Sequence, residues 1–193
     1  MQYETDIEPL NLGGGSPDYS GLSVIEGGGA TSAAGFRASG VHAGFRKDPG
    51  RLDLALLVAD EPAACAATFT QNVFCAAPVT VSREHLDGVS YGTARALVVN
   101  SGTANAATGS VGIQSAHRTA EIVSEAVGCP ATEVMIASTG VIGQQLDMSV
   151  FETGVPQAFA ALSENGGADA ARAIMASCRW RSSRPKARPV AVR

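Results

Sequence analysis

The residues best suited to chemistry are Ser138, Thr139 and Gly140, which directly follow a short apolar run at residues 134–137. A hydroxyl group beside a glycine amide can hold the negative charge that develops when an acyl carbonyl is attacked. Gly140, with Gly143 three residues later, also lets a ligand approach the main chain closely. The same residues fit a purely structural turn, because glycine is common in turns for conformational reasons alone. An oxyanion-binding turn and a structural turn therefore stand as alternatives.

The other reactive side chains form no recognisable site in the sequence. His42, His85 and His117 lack the spacing of metal ligands, so we expect no metal site. The glycine run at residues 27–29 is not followed by the Lys-Ser/Thr of a phosphate-binding loop, and we expect no bound cofactor. No C-x-x-C pair occurs among the four cysteines, Cys65, Cys75, Cys129 and Cys178.

Length and composition describe a globular protein with an aliphatic core. The 193 residues contain few aromatic side chains, so Ala, Val, Ile and Leu must fill the interior. No apolar stretch approaches the roughly 18 residues of a membrane span, and no membrane partner is expected. Because the N-terminus is acidic and has no apolar leader, we expect a cytoplasmic protein.

Charge and glycine content divide the chain into three parts. Residues 1–23 are polar, with a Gly-Gly-Gly-Ser-Pro interruption, and are predicted to be a disordered extension. Residues 24–175 form the predicted domain. Residues 176–193 hold six of the 14 basic residues and none of the 18 acidic ones, which predicts a disordered or non-native tail. We expect no nucleic-acid binding, because this tail has no periodicity and two prolines.

The apolar pattern predicts three strands in the first half of the domain. Residues 52–59 and 63–70 are apolar runs joined by a tight connection, which favours an antiparallel pair. Residues 78–81 read as an extended piece that leads into a helical turn at 82–86, a surface-like segment. Residues 94–99 form the third strand, followed by a loop of small and amide side chains. That loop either satisfies its own backbone or forms the wall of a site.

The second half of the domain predicts helices around a central strand. Apolar residues recur at helical spacing, and Gly128 ends that helix. Asp147 can cap a further helix or helical pair at residues 148–162, divided at Pro156. Residues 169–175 look helical. The order of elements predicts an α/β (α+β) fold. The spaced apolar residues are Ile113, Ala116, Ala120, Val123 and Val127.

Several stretches, taken together in their order, resemble the glutamate N-acetyltransferase (ornithine acetyltransferase) family of arginine biosynthesis. The resemblance covers about residues 29–175, and its most specific parts are NSGTANA and STGVIG. The stretches are GFRASGV (35–41), DLAL (53–56), FTQN (69–72), AAPV (76–79), SREHL (82–86), VNSGTANA (99–106) and ASTGVIG (137–143).

This resemblance implies a fold and an activity. The expected fold is a layered sheet–helix sandwich similar to N-terminal-nucleophile hydrolases, of which this chain is the N-terminal half only. The family precursor cleaves itself, and the new N-terminal threonine of the β chain takes acetyl from N-acetylornithine, or from acetyl-CoA, and passes it to glutamate. Thr139 and Gly140 match the family's oxyanion-hole pair. The expected partner is the β chain, in an αβ heterotetramer.

Two departures from the family pattern matter. The family has Thr-Thr-Asp-Thr after Ala-Ile-Met, whereas Ala176 follows the Ala-Ile-Met of residues 173–175, so no substrate contact is carried onto it. The family's cleavage site and β half have no counterpart in the sequence. We therefore expect a truncated or frameshifted reading frame whose product is inactive alone, because covalent transfer needs the nucleophile. The alternative is a non-catalytic binding domain that keeps the fold.

Overall fold

A computed structural model describes residue 25 and residues 28–86 and 91–175. The predicted extension at residues 1–23 and the basic tail at 176–193, with Ala176, lie outside the described residues. The elements in chain order are β1 (Phe36–Val41), β2 (Leu54–Ala66), α1 (Ala77–His85), β3 (Tyr91–Thr103), α2 (Gly109–Val127), a 3-10 turn (Ala131–Glu133), β4 (Val134–Val141), α3 (Met148–Ala160) and α4 (Gly167–Ala173).

The four strands form one sheet in the order β1-β2-β3-β4. β1 pairs antiparallel with β2, and β2 pairs antiparallel with β3. β4 pairs parallel with β3, and α2 lies between these two strands in the chain. Since β4 has one neighbour, half of its backbone groups face the outer edge of the sheet. The fold is mixed α/β, as the sequence predicts.

The two faces of the sheet are packed differently. One face is buried under α1, α2 and α3, and its aliphatic side chains form the main core. On the other face α4 covers part of the sheet with Ala170 and Ala173. Beside α4 this second face borders a cavity of about 540 Å³, where Leu57, Leu97 and Val99 stay half-buried. The main core includes Leu54, Leu56, Val58, Val98, Val134, Ile136, Phe151 and Val155.

The predicted antiparallel pair of residues 52–59 and 63–70 is wrong. Residues 54–59 and 63–66 belong to one strand, β2, and both parts pair with β3, with a register shift between Val58 and Ala63, while residues 67–70 lie outside the strand. Pro62 lies within that irregularity, where its missing N–H costs no ladder hydrogen bond. The bulge therefore bends one long strand where the sequence predicts a hairpin. β1, which the sequence pattern did not reveal, pairs with the other edge of β2.

Two of the predicted helices differ from those in the structure at a proline. Residues 78–81 are not extended, because Pro78 stands in the first turn of α1, where a missing N–H is tolerated. Pro156 does not divide α3. The carbonyl of Glu152 loses its helical donor there, but this residue is exposed and water can replace the donor. α4 begins two residues before the predicted helix and ends at Ala173.

The predicted helix ends at Gly128 and Asp147 are confirmed. α2 ends at Gly128, whose φ of +76° is the left-handed conformation that glycine adopts without strain. The Asp147 carboxylate accepts a hydrogen bond from the Ser149 N–H at 3.0 Å and so caps α3. The Ser149 hydroxyl and N–H lower the pKa of Asp147. Within the described ranges no helix is long and apolar enough to cross a membrane.

Candidate active site

Thr139 and Gly140 lie inside β4, whereas the sequence predicts that they form a turn after a strand ending at residue 137. Thr139 pairs with Ser101, and Gly140 pairs with Gly102 on β3. Gly140 has a φ of +137°, and a Cβ atom there would collide with the Gly102 carbonyl. The two opposed glycines therefore let the backbones approach closely enough for the strand to continue.

The backbone of β4 turns alternate peptide groups to the outer edge of the sheet. The N–H and the carbonyl of Ile136 both contact the Ser82 hydroxyl of α1, at 3.0 and 3.2 Å. The carbonyl of Val141 faces the β3 side, where it accepts from the Ala104 N–H at 2.8 Å. Because the direction alternates from residue to residue, the peptide groups of Gly140 point the same way as those of Ile136, so the Gly140 N–H lies on the outer edge of the sheet. Gly140 is exposed.

The side chain of Thr139 belongs to the sheet face opposite the main core. Side chains alternate along a strand, and Val134 and Ile136 are core residues, so Thr139 projects to the face that carries α4. The residue is half-buried, and its hydroxyl makes no hydrogen bond to any other residue in the described ranges. A hydroxyl with no protein partner among the described residues thus lies next to an edge amide, which is the combination of donors that an oxyanion hole needs.

The amide-rich loop after β3 satisfies its own polar groups and also contacts β4. The Asn100 side chain donates to the Thr103 carbonyl at 2.8 Å. The buried Asn105 donates through Nδ2 to the Gly112 carbonyl at 2.8 Å, and its Oδ1 accepts from the Thr108 hydroxyl. Its backbone N–H donates to the Ser138 hydroxyl at 2.9 Å. The loop therefore supports the strand that carries Thr139 and Gly140.

A buried carboxylate, Asp53, fixes a second loop beside the site. Asp53 is fully buried and accepts from the backbone N–H groups of Ala43 (2.6 Å), Gly44 (3.3 Å) and Arg46 (2.8 Å). The Phe45 carbonyl in this loop would lie 2.9 Å from a Cβ atom on Gly102. The loop that Asp53 fixes therefore lies close against Gly102, and Gly102 lies opposite Gly140. The sequence reading did not single out Asp53, although a lone acid inside an apolar run is a usable signal.

Arg46 joins the end of β3 to the segment after α4. Its guanidinium donates to the Ser101 hydroxyl at 3.2 Å and to the Met175 carbonyl at 3.0 Å. Burial, and then the nearby Arg51, lower the pKa of Arg46, while Asp53 acts in the opposite direction. Because Ser101 pairs with Thr139, Arg46 adds positive charge near the candidate site.

His42 lies in the loop that Asp53 fixes, where its Nδ1 is 2.9 Å from the Arg51 carbonyl and 3.4 Å from the Asp53 carboxylate, whereas His85 and His117 lie on α1 and α2. His85, which the sequence places on a surface-like turn, is half-buried and its Nδ1 lies 2.8 Å from the Val134 carbonyl. His117 on α2 lies 3.3 Å from the Glu84 carboxylate. Among the described residues no group of three or more His, Cys, Asp or Glu side chains could hold a metal ion.

Replacing Gly112 by alanine should destabilise the loop that supports β4. A Cβ atom at Gly112 would collide with the Thr108 hydroxyl and would lie 2.5 Å from Asn105 Oδ1. We expect a loss of about 1–3 kcal/mol in the free energy of unfolding, the usual cost of overpacking a filled interior. Urea unfolding measures it, with Gly29→Ala, the same change at an exposed glycine that has open space at its Cβ position and no left-handed φ, as the comparison. An equal or smaller loss for Gly112→Ala would contradict this reading.

The fold and the site define a mixed α/β protein with the fold of the N-terminal-nucleophile hydrolases, shared with two solved structures. One is ornithine acetyltransferase from Mycobacterium tuberculosis, complexed with ornithine, at a TM-score of 0.75 and 39% identity over 82% of this chain and 84% of that chain. The other is arginine biosynthesis bifunctional protein ArgJ from Bacillus halodurans, at a TM-score of 0.72 and 34% identity over 82% of each chain.

The sequence comparisons give the family. The model of the ArgJ family matches residues 37–183, and the chain belongs to this family. Arginine biosynthesis bifunctional protein ArgJ of Nitratidesulfovibrio vulgaris is 51% identical over 76% of this chain and 36% of its own length. The Methylococcus capsulatus protein of the same name is 49% identical over 89% of this chain and 39% of its own length. The chain thus spans little more than a third of the curated relatives it matches.

Proposed function

We propose that this chain forms the oxyanion-binding half of an arginine-biosynthesis acetyltransferase, which acts in the cytoplasm. The enzyme transfers acetyl from N-acetylornithine to glutamate, with acetyl-CoA as a possible further donor. The observation that carries the proposal is the Thr139 hydroxyl, which has no protein partner among the described residues, beside the edge amide of Gly140. The solved relatives support the substrate class, since one of them is an ornithine acetyltransferase complexed with ornithine.

The proposed reaction has two acyl-transfer steps. The hydroxyl of a β-chain threonine attacks the acetyl carbonyl of N-acetylornithine, and its proton passes to the threonine's own amine. Thr139 and Gly140 donate to the resulting oxyanion. The carbon–nitrogen bond then breaks, ornithine leaves with the proton on its amine, and the acetyl group remains on the threonine as an ester. The glutamate amine attacks this ester, which releases N-acetylglutamate and restores the hydroxyl.

We propose that the β chain packs on the sheet face that carries α4, and that the assembly is an αβ heterotetramer. Thr139 projects to this face, and the half-buried Leu57, Leu97 and Val99 border its 540 Å³ cavity. Apolar side chains in such a position favour a covering partner. The reaction then takes place between the two chains, so the isolated chain should not turn over.

Acetyl exchange between N-acetylornithine and glutamate tests the proposal. The chain is assayed alone and with a separately expressed β chain from the Nitratidesulfovibrio vulgaris relative. We expect no turnover from either polypeptide alone and measurable turnover from the mixture. The relative's own α and β chains, mixed in the same way, are the positive control.

Two results would contradict the proposal. Robust turnover by the isolated chain would show that the β chain is not needed. A complex that forms without turnover, while the relative's own pair is active, would favour the alternative function, a non-catalytic binding domain that keeps the fold.

A further inference from the structure

The hydroxyl of Ser138 lies directly before Thr139, on the opposite face of β4. It accepts a hydrogen bond from the Asn105 N–H at 2.9 Å and donates to the Thr103 carbonyl at 3.4 Å. Both partners belong to the end of β3 and the loop that follows it. Ser138 therefore joins β4 to this loop through a side chain, at the point where the two strands approach through their glycines.

The loop that receives Ser138 is itself firmly held. Asn105 is buried, and its side-chain amide is bonded at both ends, to the Gly112 carbonyl at the start of α2 and to the Thr108 hydroxyl. A buried polar network with every partner in place holds one arrangement. The Ser138 hydroxyl thus ties β4 to a rigid part of the fold.

Backbone hydrogen bonds fix β4 on the other side of the Thr139–Gly140 pair. The Val141 carbonyl accepts from the Ala104 N–H at 2.8 Å, and the Gly143 N–H donates to the Ala106 carbonyl at 2.9 Å. The pair is therefore enclosed between Ser138 before it and these two bonds after it. Gly140, with its φ of +137°, is the residue in between whose backbone departs from strand geometry.

We propose that Ser138 is a positioning residue that sets the direction of the Thr139 hydroxyl and the Gly140 amide. The inference rests on the oxyanion role proposed above for that pair. Donors stabilise a developing oxyanion only when they are aimed at it before the reaction, and a displacement of about 1 Å can lower a rate about 100-fold. Without the Ser138 hydroxyl, the start of this segment loses its side-chain bond to the loop.

The test compares two serine hydroxyls that both bind β4. In the active two-chain complex, Ser138→Ala should lower kcat about 10- to 100-fold and leave KM for N-acetylornithine nearly unchanged. Ser82→Ala removes the hydroxyl that joins α1 to Ile136, two residues earlier on the same strand, and should leave kcat unchanged. Ser138→Thr, which keeps the hydroxyl, should restore most of kcat. Equal effects of Ser138→Ala and Ser82→Ala on kcat, in proportion to their stability losses, would overturn the inference.

Amide hydrogen exchange on the chain gives a second measurement that does not need turnover. Ser138→Ala should accelerate exchange about tenfold at Thr139 and Val141, whose N–H groups face β3, and leave Leu56, in the centre of the sheet, unchanged. Unchanged exchange at these residues would reject a positioning role whatever the activity. If the wild-type complex transfers no acetyl group, the proposed function and this inference are both rejected. If the wild-type complex is active and the Ser138→Ala variant is equally active, only this inference is rejected.

Discussion

Replacing Thr139 by valine should lower kcat for acetyl transfer about 100- to 1,000-fold in the two-chain complex. This is the usual cost of removing one oxyanion-hole donor, on the order of 3 kcal/mol of transition-state stabilisation. Valine keeps the shape and the β-branch of threonine, so a half-buried strand position accepts it. Because the Thr139 hydroxyl bonds to no other residue in the described ranges, its removal leaves no partner unsatisfied. The loss should therefore appear in kcat and not in stability.

The matched control is Thr132→Val, an exposed threonine in the short turn before β4. It makes the same chemical change close to the same strand. Because substitutions of exposed residues usually have small effects, kcat should stay within about twofold of the wild-type value. Thr139→Ser, which keeps the hydroxyl, should retain much of the activity. Wild-type kcat in Thr139→Val would remove Thr139 from the proposed mechanism, whereas a large fall in stability would assign it a structural role.

The sequence predicts those parts of the fold that depend on neighbouring residues. Small and aliphatic residues at helical spacing locate α2, and Gly128 ends it because the left-handed conformation there suits glycine. Asp147 begins α3 through a bond to Ser149, only two residues away. Such signals are local, so a single sequence contains them in full.

The parts that the sequence does not predict depend on distant residues. β4 continues through Thr139 and Gly140 because Gly102, 38 positions earlier in the chain, stands opposite Gly140 without a side chain. β2 stays a single strand because both of its halves pair with β3, which begins much later in the chain, at Tyr91. Periodicity contains no information about such pairings, which is why a strand end was predicted at residue 137 and a hairpin at residues 60–62.

The candidate site shows the same division. The small and hydroxyl-bearing residues at 138–140 mark a place where a ligand could reach the main chain, and the structure puts Gly140 at an open edge. The sequence does not predict the residues that fix the backbone at positions 138–140. Ser138 binds Asn105, 33 positions away in the chain. Asp53 fixes the loop whose Phe45 carbonyl lies close to Gly102. Support for a site is built from long-range contacts, which a motif does not contain.

Replacing Asp53 by alanine should lower the free energy of unfolding by about 3–5 kcal/mol, because each donor left without its acceptor costs about 1–3 kcal/mol. Three backbone N–H groups, those of Ala43, Gly44 and Arg46, would lose their acceptor. The loop cannot easily shift outward to let water bind these N–H groups, because the Phe45 ring packs edge-on against Phe151 in the core, with ring centroids 4.7 Å apart. Urea unfolding of the chain measures the loss.

The control for Asp53 is Asp60→Ala in β2, the strand that begins directly after Asp53. Asp60 is 51% exposed and bonds to Arg37 at 2.9 Å, a surface pair whose loss should cost about 0–1 kcal/mol. Similar losses for the two variants would mean that the buried carboxylate does not organise the loop at residues 42–46. If it does, Asp53→Ala should also lower acetyl transfer in complex that is still folded, because the loop packs on Gly102 and Gly102 on Gly140. Full activity in such a complex would separate the stability of this loop from the geometry of the oxyanion donors.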